Sequence, residues 1–204
     1  MKALIVVDVQ NDFVPGGALA VNGGDEVIPV INELQPHFDL VVATQDWHPR
    51  NHKSFASNHP KRVPFETIDL NGLEQVLWPD HCIQGTSGAE FHPDLDTIRF
   101  EAIFRKGTDP EIDSYSGLYD NGRRKSTGLS GYLRERNVSK VFVCGLAADY
   151  CVYFTAKDLL TEGFKTFFIE DATRAISQDG YQKARNVITE LSGKIVNSVE
   201  VKLL

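Results

Sequence analysis

Short apolar runs of strand length alternate along this chain with segments whose apolar residues recur at helical spacing. That alternation constrains the fold more than any other feature. Ala3 to Val9 reads as a first strand. Val27, Val30, Ile31 and Leu34 then fall at i, i+3, i+4 and i+7, the spacing of one helix face. Leu40 to Thr44 reads as a second strand. Phe100 to Arg105 reads as a third, after a long polar region from Asp46 to about Thr97 rich in Pro, His and Gly. Leu129, Tyr132 and Leu133 mark a short helix, and Val141 to Cys144 a fourth strand. Val152, Ala156, Leu159 and Leu160 form another helix face, closed by Gly163, and Lys165 to Ile169 a fifth strand. Ala184, Val187, Ile188 and Leu191 give a last helix ended by Gly193, and Ile195 to Val201 a sixth strand, interrupted by Asn197 and Ser198. This pattern predicts an α/β fold: a doubly wound, mostly parallel six-stranded sheet with helices on both faces. At 204 residues and 42% apolar, the chain has material for one sizeable core, and no repeat or biased segment divides it; one domain over residues 1–204 is expected.

Charge narrows the partners. Lys and Arg number 21 against 28 Asp and Glu, a net of -7, with no long basic run. Phosphate binding needs a basic face, so a nucleic-acid partner is not expected, and Arg123-Arg124-Lys125 reads as a solvated loop. No apolar segment approaches the roughly 20 residues of a membrane span. The first residues run straight into Asp8 without a small-residue cleavage site and read as a strand rather than a signal peptide. Three cysteines without CxxC spacing make a disulfide framework improbable, which points to the cytoplasm.

Doubly wound sheets bind ligands at the carboxyl ends of their strands. Asp8 lies at the end of strand one, Asp46 and His48 follow strand two, Lys106 follows strand three, and Cys151 lies just after strand four. Buried strands need no such groups to fold, so four strand ends bearing them on one rim are the signature of a reactive site. Cys151 falls where a helix begins, and the dipole there favours a thiolate by only about 0.3–1 kcal/mol; taken alone, such a cysteine is more often a buried structural one. Cys144 sits within a strand and reads as core. Cys82, beside His81, is a ligand or a reactive thiol and ranks below Cys151. A cysteine nucleophile needs a proton acceptor, and Asp8 is the available one; a structural Asp8–Lys106 ion pair is the alternative. Asp46-Trp47-His48, with His52, His59 and His81 downstream, offers a carboxylate and imidazoles suited to a divalent transition metal, or a set of surface histidines. His37 and His92 read as structural or exposed. Phe13, Trp47, Trp78 and Tyr115 fall on irregular stretches, where they either wall a pocket for a flat ring or cover core edges.

With these residues laid out, the chain resembles the nicotinamidase/pyrazinamidase family of isochorismatase-like hydrolases. The matching stretches are Val7-Asp8-Val9-Gln10-Asn11-Asp12-Phe13, Thr44-Gln45-Asp46-Trp47-His48-Pro49, Trp78-Pro79-Asp80-His81-Cys82, Phe104-Arg105-Lys106-Gly107, Asp113-Ser114-Tyr115-Ser116-Gly117 and Gly145-Leu146-Ala147-Ala148-Asp149-Tyr150-Cys151-Val152. The resemblance implies a catalytic triad of Asp8, Lys106 and Cys151, and one divalent metal, commonly zinc, iron or manganese, on Asp46, His48 and His81. It implies that Phe13, Trp78 and Tyr115 sandwich a pyridine ring, and that the peptide before Ala147 is cis, beside an oxyanion site. It implies hydrolysis of the small molecule nicotinamide, and of pyrazinamide, to the acid and ammonia within NAD salvage, by a monomer or a homo-oligomer. Whether His52 joins the metal stays open: some members recruit an extra loop histidine, others fill the site with water. The rivals are a superfamily hydrolase acting on an isochorismate-like ether or a carbamoyl compound, a non-catalytic binding domain, and a thiol redox protein, the last disfavoured by the absence of CxxC.

Overall fold

The alternation expected from the sequence is present in order. The computed structural model describes residues 1–203. Its elements are β1 (Lys2–Val7), α1 (Val27–Leu34), β2 (Leu40–Asp46), β3 (Thr67–Leu70), β4 (Leu73–Val76), β5 (Phe100–Lys106), α2 (Leu129–Glu135), β6 (Lys140–Leu146), α3 (Cys151–Thr161), β7 (Lys165–Arg174), α4 (Gln178–Glu190), β8 (Lys194–Val196) and α5 (Ser198–Val201). Six strands form one sheet in the order β5-β2-β1-β6-β7-β8, and every neighbouring pair is parallel.

Burial on both faces explains the near-continuous apolar runs. Along β1, Leu4 and Val6 join a core with Val27, Ile31 and Leu34 of α1 and Val201 of α5. Ala3, Ile5 and Val7 join the opposite core with Leu133 of α2, Val152 and Leu159 of α3 and Ile188 of α4. Phe142 and Phe167, on adjacent strands, stack at 4.4 Å between centroids. From β1 the chain winds outward through β2 to β5, and from β6 outward through β7 to β8. The strand order therefore reverses between β1 and β6, and a crevice opens at their carboxyl ends. Among the described residues no helix is long and apolar enough to cross a membrane.

Four details depart from the sequence reading. The polar region from Asp46 to Thr97 contains an antiparallel hairpin, β3–β4, closed by Asn71-Gly72 at φ of 56° and 83°. Both turn residues lie in the left-handed region that a two-residue hairpin demands, and Asn-Gly is its strongest short-range signal. The first strand ends at Val7 rather than Val9, because Asp8 takes φ of 49°. β7 runs on to Arg174, past the expected Ile169. The charged residues in its second half are paired rather than solvated: Glu170 with Arg185 and Tyr181, and Asp171 with Ser198. The expected sixth strand stops at Val196. Asn197 caps α5 instead, its side chain accepting from the Glu200 N–H while the Glu200 side chain accepts from the Asn197 N–H, a reciprocal capping box.

Candidate active site

Parallel register delivers the ionisable groups to one place. Asp46 and Lys106 are the last residues of β2 and β5 and are directly paired in the ladder. Asp8 follows β1 next door, and Cys151 opens α3 after the turn that leaves β6. All four are buried. The Lys106 ammonium lies 2.9 Å from Asp8 Oδ2, 2.9 Å from Asp46 Oδ1, 2.9 Å from the Ser114 carbonyl and 3.4 Å from Cys151 Sγ. The second Asp8 oxygen accepts from the Thr44 hydroxyl at 2.6 Å.

The electrostatics follow from one cation among several acids in a dry place. Burial alone would strip Lys106 of its proton, but Asp46 and Asp8 outweigh it and hold the ammonium well above its usual range. Burial raises the Asp8 carboxyl, Lys106 opposes this, and repulsion from Asp46 adds to it; the net shift is upward. Burial also pushes the Cys151 thiol well up, only partly offset by Lys106. Neither the start of α3 nor Lys106 fully offsets the burial of this thiol, which shares a hydrogen bond with the Asp8 carboxyl. Cys144 is a core thiol raised by burial. Cys82 is also raised, first by burial, and packs in the core with its N–H donated to Asp12 Oδ2 at 2.7 Å.

Asp46 turns its other oxygen to two imidazoles. Oδ2 lies 2.9 Å from His48 Nε2 and 3.4 Å from His81 Nε2. Burial opposes the Asp46 charge, but His48 and Lys106 overcome it and keep the carboxyl well below the ordinary range. Each imidazole donates its Nδ1–H to a backbone carbonyl, His48 to Gly107 at 2.9 Å and His81 to Pro79 at 2.7 Å. In the neutral rings that a bound cation would require, those bonds leave the lone pair on Nε2, which faces inward. Two lone pairs and a carboxylate oxygen then face one another, an arrangement that calls for a cation between them. The carboxylates of Asp8 and Asp46 also exceed the single charge of Lys106. Asp46, His48 and His81 can present one donor atom each with all three within 4.8 Å of one another, and the set fits a divalent transition metal. Gly107 makes the His48 approach possible: at φ 65°, a Cβ there would stand 2.4 Å from His48 Cε1.

His52 lies beside this set, its ring 4.3 Å from that of His48, and with His48 and Asp113 it forms a second group of close donors. Its Nδ1 accepts from the Ser54 N–H at 3.2 Å and lies 2.7 Å from Ser54 Oγ, which leaves the proton on Nε2, a buried atom without a partner. Burial is the largest cause acting on the His52 imidazole and lowers its pKa to about 4. His59 bonds the Lys53 carbonyl at 2.7 Å, His37 is exposed, and His92 stands beside Asp94, away from the site.

A pocket of about 350 Å³, its open mouth included, leads down to these groups. Phe13, Trp78, Tyr115, Ala147, Asp46, His81 and Cys151 all line it. Trp78 donates its indole N–H to the Tyr115 hydroxyl at 3.2 Å, which fixes both rings as walls. Trp47 does not line it and instead carries the Arg105 guanidinium on its face at 3.9 Å. The peptide between Leu146 and Ala147 is cis. Leu19, Asp113, Tyr150 and Ile176 also line the pocket and escaped the sequence reading. Asp113 and Tyr150 lie inside motifs already singled out. Ile176 follows β7 and would have emerged from the strand-end rule had that strand been drawn to Arg174.

A family model described as the isochorismatase domain matches residues 2–200. A nicotinamidase of Acinetobacter baylyi is 54% identical, covering 87% of this chain and 83% of its own. Among solved structures, an Acinetobacter baumanii nicotinamidase/pyrazinamidase superposes with a TM-score of 0.95 at 50% identity, over 100% of this chain and 98% of that one. PnC1 of L. infantum in complex with nicotinate gives 0.86 at 37% identity, over 98% and 93%. A pyrazinamidase of Pyrococcus horikoshii in complex with zinc gives 0.79 at 39% identity, over 96% and 98%.

Two outcomes follow from the charges. In metal-free protein, Lys106→Met leaves two buried carboxylates without their shared cation and costs about 3–5 kcal/mol in urea denaturation; a loss below about 1 kcal/mol would deny the pair its structural weight. His52 has a folded pKa near about 4, below the roughly 6.5 of an unfolded histidine. The unfolded chain therefore binds the extra proton between those values, so stability is full above pH ~6.5 and falls toward pH ~4. Metal-free His52→Asn should lose about 2 kcal/mol less than the parent between pH ~7 and ~4.5; equal losses would show that His52 is not held neutral.

Proposed function

The chain belongs to the isochorismatase family, and from that premise we propose that it hydrolyses nicotinamide, and pyrazinamide likewise, to the acid and ammonia through a thioester on Cys151. One observation carries the reading. A buried thiol, a carboxylate and an ammonium lie in mutual contact, and the thiol lines an aromatic-walled pocket that also presents Asp46 and His81.

Phe13, Trp78 and Tyr115 receive the faces of the pyridine ring, flat apolar surface meeting flat apolar surface. Asp46, His48 and His81 would hold one divalent ion, zinc by analogy with the Pyrococcus relative and iron or manganese also suited to these donors, which when bound supplies a Lewis-acid position for the ring nitrogen. Fixed in this way, the carboxamide carbon meets Cys151 without the entropy cost of a bimolecular encounter. Asp8 takes the thiol proton, and its raised pKa makes it a better acceptor than an ordinary carboxylate. Lys106 holds Asp8 in place and favours the thiolate as it forms. The sulfur adds to the carbonyl carbon, and the backbone N–H groups of Ala147 and Cys151 receive the oxyanion, a contribution of about 10²–10³-fold per donor in comparable enzymes. Asp8 returns its proton to the departing amine, ammonia leaves, and the thioester remains. Asp8 then deprotonates a water that attacks the thioester carbon, and Cys151 departs with that proton as the acid is released.

A binding module has no use for a buried thiol–carboxylate–ammonium set. A hydrolase of isochorismate-like ethers has none for three inward-facing metal donors. Three unpaired cysteines fit a reducing compartment, and we place the enzyme in the cytoplasm, where it returns the pyridine ring to NAD salvage.

Ammonia release from nicotinamide by the purified protein tests the reading. Release should fall on chelation and return when metal is restored. No release from folded, metal-loaded protein would sink it.

A further inference from the structure

Asp149 ties the nucleophile turn to the mouth of the pocket. It stands two residues before Cys151 and is buried. Its two carboxylate oxygens accept from consecutive backbone N–H groups on another element: Oδ1 from Ile176 at 2.9 Å and Oδ2 from Ser177 at 2.9 Å. These residues belong to the loop between β7 and α4. The Ile176 side chain lines the pocket. At 40% exposed it is the lining residue most open to solvent, whereas Phe13, Leu19, Trp78 and Ala147 are each below one-tenth. Ile176 is therefore the lip of the pocket, and Asp149 sets its height.

The mechanism proposed above leaves both residues unused. We propose that Ile176 is a specificity-determining residue that screens the outward edge of the substrate ring, and that Asp149 is a positioning residue holding that lip in register with Cys151. The inference rests on the nicotinamide reading above. With the carboxamide at Cys151 and the ring nitrogen toward Asp46, His48 and His81, the C2 carbon between them faces the floor. The opposite carbon, C5, faces the mouth. A substituent at C5 meets Ile176, and one methylene-sized group against an apolar wall changes discrimination by about 10–200-fold.

The test compares kcat/KM for nicotinamide and 5-methylnicotinamide on the metal-loaded enzyme. In Ile176→Ala the ratio of 5-methylnicotinamide to nicotinamide should rise about tenfold, with KM for nicotinamide rising more than kcat falls. Asp149→Asn offers one acceptor where two N–H groups point and should move the ratio the same way. In the double variant the shift should not exceed that of Ile176→Ala, because both act through one lip. If Asp149 were merely structural, Asp149→Asn would depress both substrates together and leave the ratio fixed, which would overturn its positioning role. An unchanged ratio in Ile176→Ala, with nicotinamide still turned over, would overturn the selectivity claim itself. A parent enzyme that fails to turn over nicotinamide would instead overturn the functional reading beneath it.

Discussion

The ammonium of Lys106 is the constraint on which the rest of this site depends. It is buried, and a buried cation survives only among opposite charges and hydrogen-bond acceptors. Asp8, Asp46 and the Ser114 carbonyl, each at 2.9 Å, supply them. Those three contacts pull together the ends of β1, β2 and β5 and the loop that carries Tyr115. The same nitrogen lies 3.4 Å from Cys151, so one charge joins the Asp8 carboxylate, the Cys151 thiol and the inner edge of the donor set. The acids outnumber it, and the excess negative charge at Asp46 faces the two imidazoles. The thiol–carboxylate half and the Asp46–His48–His81 half are thus one electrostatic unit.

Sheet geometry makes that unit possible. All the strands around it run parallel, so their carboxyl ends lie on one rim, and the reversal of strand order between β1 and β6 opens a crevice there. Asp8 and Cys151 flank that crevice directly. Asp8 leaves its strand with a left-handed backbone, a conformation that Asp tolerates better than most residues. The pocket above is apolar along its walls and polar at its floor, which suits a flat heteroaromatic amide better than a charged or flexible substrate.

Much of this was legible in the sequence because burial on both faces writes strands as unbroken apolar runs. Ala3 to Val7 and Val141 to Cys144 could hardly be anything else, and the residues just beyond such runs pointed to Asp8, Asp46, Lys106 and Cys151. What stayed hidden had local causes. The second half of β7 is polar, since Glu170 and Asp171 bond to α4 and α5, and its concealment hid Ile176. The β3–β4 hairpin has only four residues per strand, too few for a period to stand out; Asn71-Gly72 was its one clear sign. Asn197 and Ser198 looked like flaws in a strand and are instead the start of a helix. The tautomers of His48 and His81 depend on the carbonyls of Gly107 and Pro79, and no spacing rule reports where a carbonyl points.

The claim at the centre of the account is that Cys151, not Cys82 or Cys144, carries the acyl group. Intact-protein and peptide mass spectrometry of the metal-loaded enzyme, acid-quenched during turnover of nicotinamide, tests it most directly. The account predicts a nicotinoyl thioester on the peptide containing Cys151. The same adduct on the peptide of Cys82 or Cys144, with Cys151 unmodified, would contradict it.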